Sequence, residues 1–308
     1  MNRRVIIIIG LVVGVFILMK MMSGHPVKKK KAELALLQQS EIVLNEAMAV
    51  KSSDPDKAIG MFEKVAADFT ESEEAQKALM EIADIYLKEN ELQKAQETLK
   101  RLLNDYPQGS LLRAAQEKLW DANIAMLFSR TVTDDSYVYE VQPGDTLYKI
   151  AKKYNTNVDL LMKSNGLEQS LIKPGMRLKI IKSVFSIEVS KSQNKLILKA
   201  DGNVVKEYPI GIGDNNSTPV GQFKITSRIV SPVWYKTGAI VPVPAGSAEN
   251  ILGSRWMGLS EPGYGIHGTT DTKEITKQRT QGCVRMWNKE VEELFVIVPV
   301  GTEVIIND

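Results

Sequence analysis

The residues able to do chemistry concentrate in two short stretches, Gly265-Ile266-His267-Gly268-Thr269 and Thr280-Gln281-Gly282-Cys283-Val284-Arg285-Met286. Cys283 is the single cysteine among 308 residues, and His267 is one of two histidines, the other being His25. A thiol at its ordinary pKa of about 8.5 is mostly protonated at neutral pH; a histidine within hydrogen-bond reach can take that proton and supply thiolate. His267, 16 residues upstream, is the histidine placed for that task. An unpaired Cys is ordinarily a small buried hydrophobe. Three neighbours argue otherwise here: Gly282 sets Cys283 in a polar turn, glycine flanks His267, and Arg285 follows the thiol by two residues. Such a turn can offer the backbone N–H groups of Gly282 and Cys283 to the oxyanion of a tetrahedral intermediate. One cysteine allows neither an intramolecular disulfide nor a cysteine-rich zinc site, and neither metal nor cofactor is implied.

The elements that must position this pair lie in residues 184–308, where short β-rich runs such as FSIEVS, KLILKA and GQFKITSRIV alternate with Gly, Pro and Asn. The rhythm predicts a mainly β domain, an antiparallel sandwich or irregular barrel. A Pro- and Gly-rich stretch from Ser231 to Gly253 interrupts it, and a loop of that length is a candidate cover for a site. Trp256 and Tyr264 read as core or pocket wall. Two roles are open to the planar fork of Arg285, holding a substrate carboxylate or bracing the turn through backbone carbonyls.

The rest of the chain is modular, as 308 residues exceed what one core usually organises. Residues 1–31 carry seven Lys and Arg and no acid, leaving the remainder at −5 against +2 for the whole. No basic stripe with interleaved aromatics follows, which excludes a nucleic-acid surface. Val5 to Met19 is an unbroken apolar run; counted on to Met22, with Lys20 snorkelling, the segment is 18 residues, about 27 Å as a helix, between Arg3-Arg4 and Lys28-Lys31. With no small-x-small cleavage site after it, residues 1–31 are expected to be an uncleaved transmembrane anchor. In residues 32–130 apolar positions recur at three and four, and an offset of 37 pairs Ala58 with Ala95, Phe62 with Leu99, Val65 with Leu102 and Ala78 with Ala115. That period predicts stacked helical hairpins, serving as a spacer, as a contact for an envelope protein, or for self-association. Residues 137–181 begin and end in β-type stretches around two short helical patterns, with turns at Pro143-Gly144 and Pro174-Gly175 and with Asp145 or Thr146 as the first N-cap.

Three resemblances carry the reading further. The helical segment resembles tetratricopeptide repeats. Residues 137–181, with Gly144-Asp145-Thr146-Leu147 and Asn165-Gly166-Leu167, resemble a LysM domain, which implies a βααβ fold and binding of peptidoglycan glycan strands near Gly144, Asp145 and Thr146 and the loop around Leu171 to Pro174. Residues 184–308 resemble the YkuD-type L,D-transpeptidase catalytic domain, on GIHGT, T-x-G-C-V-R, Thr218-Pro219-x-Gly221-x-Phe223 and Leu252-Gly253-x-Arg255-Trp256-Met257. The resemblance implies a triad of Cys283, His267 and the backbone carbonyl of Gly268, with Arg285, Trp256, Tyr264 and Gln281 as substrate-contacting side chains. It implies acylation of Cys283 by a tetrapeptide stem with release of D-Ala, then transfer to an amine acceptor, which crosslinks the wall. Water as acceptor would make an L,D-carboxypeptidase, and a degenerate domain a wall-binding scaffold. Many members carry His where this chain has Gln281, which leaves the role of that position open. The modules place residues 32–308 outside the membrane of a bacterial cell envelope, facing the wall.

Overall fold

The structure, a computed structural model, describes residues 26–235, 240–271, 274–277 and 280–308. The expected anchor, Val5 to Met22, lies outside the described residues; among those described, no helix is long and apolar enough to cross a membrane. The chain divides into two compact units, Met1–Ala122 and Asn123–Asp308.

The first unit is helical: α1 (Pro26–Val50), α2 (Pro55–Asp68), α3 (Glu73–Lys88), α4 (Leu92–Asp105) and the start of α5 (Leu112–Phe128). The 37-residue offset carries the limits of α2 onto those of α4. Ala58, Phe62 and Val65 and their counterparts Ala95, Leu99 and Leu102 are all fully enclosed, so the repeat is a repeat of buried faces. Phe69 and Tyr106 stand at equivalent C-caps, each backbone N–H closing onto a carbonyl of the preceding turn. Asp54 and Ser72 cap α2 and α3 with side-chain oxygens, satisfying amides that have no partner inside the helix.

The second unit opens with a βααβ module: β1 (Ser136–Glu140), α6 (Leu147–Lys153), α7 (Val158–Ser164) and β2 (Arg177–Ile181), with β1 and β2 antiparallel. Thr146, of the two expected candidates, is the cap of α6, accepting from Lys149 N. The Asp145 carboxylate instead receives Tyr139 Oη at 2.7 Å and Gln142 N at 2.8 Å. These bonds hold it below the usual carboxylate range and push Tyr139 up to about 12. Asn165 mates with β2 as another strand would, its Oδ1 accepting from Lys179 N at 2.7 Å and its Nδ2 donating to Lys179 O at 2.8 Å. The buried Lys179 ammonium donates to Met126 O and Ser129 O at the end of α5, and burial pulls its pKa down to about 8.

The remaining strands among the described residues are β3 (Phe185–Ser190), β4 (Lys195–Ala200), β5 (Asn203–Pro209), β6 (Gly221–Val230), β7 (Arg255–Leu259), β8 (Gly265–His267), β9 (Val284–Arg285) and β10 (Glu303–Asn307), with a short 3-10 turn at Asp214–Asn216 and the helix α8 (Asn288–Ile297). They form a single eight-stranded sheet, ordered β5-β4-β3-β10-β6-β7-β8-β9. The expected mainly β domain is present, but it differs from an antiparallel sandwich: β10 runs parallel to β3, and β9 parallel to β8. Parallel neighbours need a crossover in place of a tight turn, and α8 lies on the chain between β9 and β10. Its buried Val291, Leu294, Phe295 and Ile297 join Ile187, Val189, Met257, Ile266, Val284 and Val304 in one core.

Candidate active site

Strand alternation sorts the site from the core. On β7, β8 and β9, Met257, Ile266 and Val284 point into the core, while Trp256, His267 and Arg285 share the opposite face. Trp256 and His267 are direct cross-strand partners, and their rings stack 6.0 Å apart at 17°. Gly265 leaves room for that indole: a Cβ there would stand 2.6 Å from Trp256 Cζ2. The parallel register pairs Ile266 with Val284 and His267 with Arg285, and Cys283, just before β9, has the Gly265 backbone bonded to its thiol.

His267 is enclosed, and its Nδ1 lies 2.6 Å from the Gly268 carbonyl oxygen. Only a protonated Nδ1 can donate to a carbonyl, so the neutral ring carries its lone pair on Nε2. Burial pushes the imidazole pKa down to about 4; the Gly268 carbonyl acts against this and the Arg285 charge adds to it. The Cys283 thiol is raised by burial, with a backbone hydrogen bond from Gly265 acting the other way, and its Sγ is 3.7 Å from Gly263 O. Both shifts disfavour the charged form of the group concerned.

The turn carrying the thiol is built by Thr280. Its Oγ1 donates to Cys283 O at 2.7 Å and accepts from Gly282 N at 3.2 Å. Gly282 N–H is thus engaged within the turn, where it had been expected to serve an oxyanion. Gly282 has φ +125°, and a Cβ on it would fall 2.4 Å from Tyr264 Cε1, which makes Tyr264 the wall of the turn. Arg285 is buried, and its guanidinium reaches Glu274 O at 2.8 Å and Ile275 O at 3.2 Å, the bracing geometry of the two considered. Gln281 is exposed beside the turn. Of the Ser231 to Gly253 stretch, Trp234 and Val243 form an antiparallel bridge, and Asn250 Nδ2 donates to Pro232 O at 2.9 Å. Sequence reasoning passed over Asn288, whose Oδ1 accepts from Ser254 N at 3.0 Å and Thr269 N at 3.1 Å.

Comparison with known proteins identifies the family. Three family descriptions match: an L,D-transpeptidase catalytic domain over residues 185–306, a LysM domain over 139–180, and a tetratricopeptide repeat over 49–119. The "Putative L,D-transpeptidase YkuD" of Bacillus subtilis is 36% identical over 177 residues, 55% of this chain and 98% of that protein. The chain belongs to the L,D-transpeptidase family. Within the family, the Bacillus licheniformis protein of the same name is 37% identical over 178 residues, again covering 98% of its length. The Escherichia coli "Probable L,D-transpeptidase YcfS" is 29% identical over 206 residues, 58% of this chain and 64% of that one. Among solved structures, an L,D-transpeptidase from Mycobacterium tuberculosis superposes with a TM-score of 0.36 at 16% identity, over 44% of this chain and 64% of that chain. LysM and L,D-transpeptidase modules in one chain put this family member at the peptidoglycan of a cell envelope.

Proposed function

We propose that the chain is a cysteine-dependent peptidoglycan L,D-transpeptidase in which Cys283 is the nucleophile and His267 the general base. The supporting observation is the 2.6 Å contact from His267 Nδ1 to Gly268 O, which leaves the lone pair on Nε2, in a strand whose Gly265 backbone bonds the Cys283 thiol. As Sγ attacks the carbonyl of the L,D bond before D-Ala, its proton passes to Nε2, and the imidazolium returns it to the departing amine. The Cys283 backbone N–H faces the developing oxyanion, while Thr280 keeps the turn in shape. Attack by the amine of a second stem then releases the acyl group as a crosslink. In this reading Trp256 and Tyr264 wall the site, Gln281 lies at its rim, and Arg285 acts by bracing residues 274–277. Gly144, Asp145 and Thr146 of the LysM module contact glycan strands. The working limits are 32–130, 137–181 and 184–308, on the wall side of an anchor in residues 1–31.

Mass spectrometry of the protein incubated with disaccharide-tetrapeptide tests this. The expected result is an adduct on Cys283 with loss of D-Ala, chased into crosslinked dimer by a second stem. Cys283→Ala should form neither. Conversion to tripeptide alone, with no dimer, would identify hydrolysis, and the absence of any adduct would defeat the proposal.

A further inference from the structure

The carbonyl that orients His267 is itself held from outside the motif. Asn288, the first residue of α8, receives two backbone N–H groups on one oxygen: Ser254 N after β7 and Thr269 N after β8. The fit is close, since a Cβ on Gly268 would stand 2.2 Å from Asn288 Oδ1 and one on Gly253 2.3 Å. Gly268 therefore sits against a fixed oxygen, and its own carbonyl must turn the other way, toward His267 Nδ1.

The other end of α8 is held by the LysM module. A helix end leaves carbonyls without intrahelical donors. Here Asn157 Nδ2 donates to Val296 O at 3.0 Å and Ile297 O at 3.3 Å. The same side chain caps α7 through Leu160 N, and Leu160 is buried in the catalytic core. Beside it, Arg228 of β6 bonds Asp159 Oδ2 at 2.7 Å and also Phe295 O, with its guanidinium carbon 4.1 Å from the Phe295 ring centre. One ten-residue helix thus ends on LysM side chains and begins at the clamp on Gly268.

We propose that Asn288 is a positioning residue for His267, and that the LysM module, by capping the far end of α8, is a structural part of the catalytic unit as well as a wall-binding one. The inference rests on the Cys283–His267 reading above. A LysM domain acting only as a tether would matter for long glycan substrates alone. A LysM domain that supports α8 matters for a stem peptide carrying no sugar.

The test is acylation of the full chain by a sugar-free tetrapeptide stem, with the pH profile of Cys283 alkylation as a second readout. Asn288→Ala should lower kcat about 10- to 100-fold with KM within about twofold, and should lower the alkylation rate at neutral pH, where base assistance matters. Asn288→Asp keeps an oxygen for both amides and should stay within about threefold of wild type. If the alanine variant fails to fold, Asn288→Ser, too short to reach both N–H groups, carries the same expectation. Asn157→Ser retains an α7 cap but loses the reach to α8, and should cost about three- to tenfold in kcat on the sugar-free stem. Unchanged kcat, KM and alkylation profile in the Asn288 variants would overturn the positioning role. Wild-type kcat on the sugar-free stem in Asn157→Ser would overturn the LysM role. Absence of any Cys283 adduct in the wild-type chain would overturn the underlying reading and this inference with it.

Discussion

His267 should stay neutral far below the pH at which an ordinary histidine charges, and the scarcity of histidine makes this measurable. Loss of hydration lowers its pKa from 6.5 to about 4, the Gly268 carbonyl acting against this and the Arg285 guanidinium with it. Between those two values the unfolded chain holds a proton at His267 that the folded chain does not, so protonation draws the equilibrium toward unfolding. The contribution is fully present above pH 6.5 and is lost as pH falls toward 4. At about 1.4 kcal/mol per pKa unit the whole interval corresponds to about 3 kcal/mol, of which about 2 kcal/mol falls between about pH 7 and about pH 4.5. In a His25→Gln background one imidazole remains, and its Cε1–H resonance can be followed by NMR as pH is lowered. The expected titration lies below about pH 5. Urea unfolding at about pH 7 and about pH 4.5 should show that background losing about 2 kcal/mol more than its His267→Gln derivative, which cancels the contribution of the carboxylates. A midpoint near pH 6.5, or equal losses in the two proteins, would refute the claim that burial sets the state of the base.

Three further outcomes follow from the same geometry. Because burial raises the thiol and leaves His267 uncharged, Cys283 alkylation by iodoacetamide should keep rising from about pH 7 to about pH 9 as the thiol ionises; a rate already at its maximum at about pH 7 would reveal an ion pair instead. Gly282→Ala forces a Cβ onto Tyr264 Cε1 at 2.4 Å in a φ +125° backbone, so the turn must shift. Acyl-enzyme formation, read by mass spectrometry, should fall about 100-fold while circular dichroism stays that of the parent. Burial raises Glu290 to about 7 despite Lys206 and Lys289, with Glu293 adding to the rise, and its Oε2 has no partner among the described residues. A carboxyl raised in the fold contributes stability at low pH that is lost as pH passes about 7. Glu290→Gln should therefore raise the unfolding free energy in urea at about pH 8 and not at about pH 4, by about 1 kcal/mol after allowance for its partial exposure.

Local grammar made much of this molecule readable, and long-range pairing hid the rest. The 37-residue offset was visible because each repeat places its own small and large residues, Ala58, Phe62 and Val65 then Ala95, Leu99 and Leu102, at the same buried points. The βααβ module was visible because caps and turns lie within a few residues of what they close, as Thr146 does for Lys149 N. The sheet order was not. β8 and β9 span three and two residues, too few for any period to register, and the β3–β10 pair joins segments more than a hundred residues apart. The same division runs through the site. Cys283 and His267 announce themselves by chemistry, since a lone thiol in a polar turn beside a glycine-flanked histidine asks for an explanation wherever it occurs. Asn288 carries no such mark; an Asn at a helix start reads as an ordinary cap. Its significance lies in accepting Ser254 N and Thr269 N, 34 and 19 residues away, and that exists only once β7, β8 and α8 have converged. The reacting groups proposed above are thus a local property of this sequence, while their alignment belongs to the whole second unit, and variants that alter only the alignment are expected outside the motif.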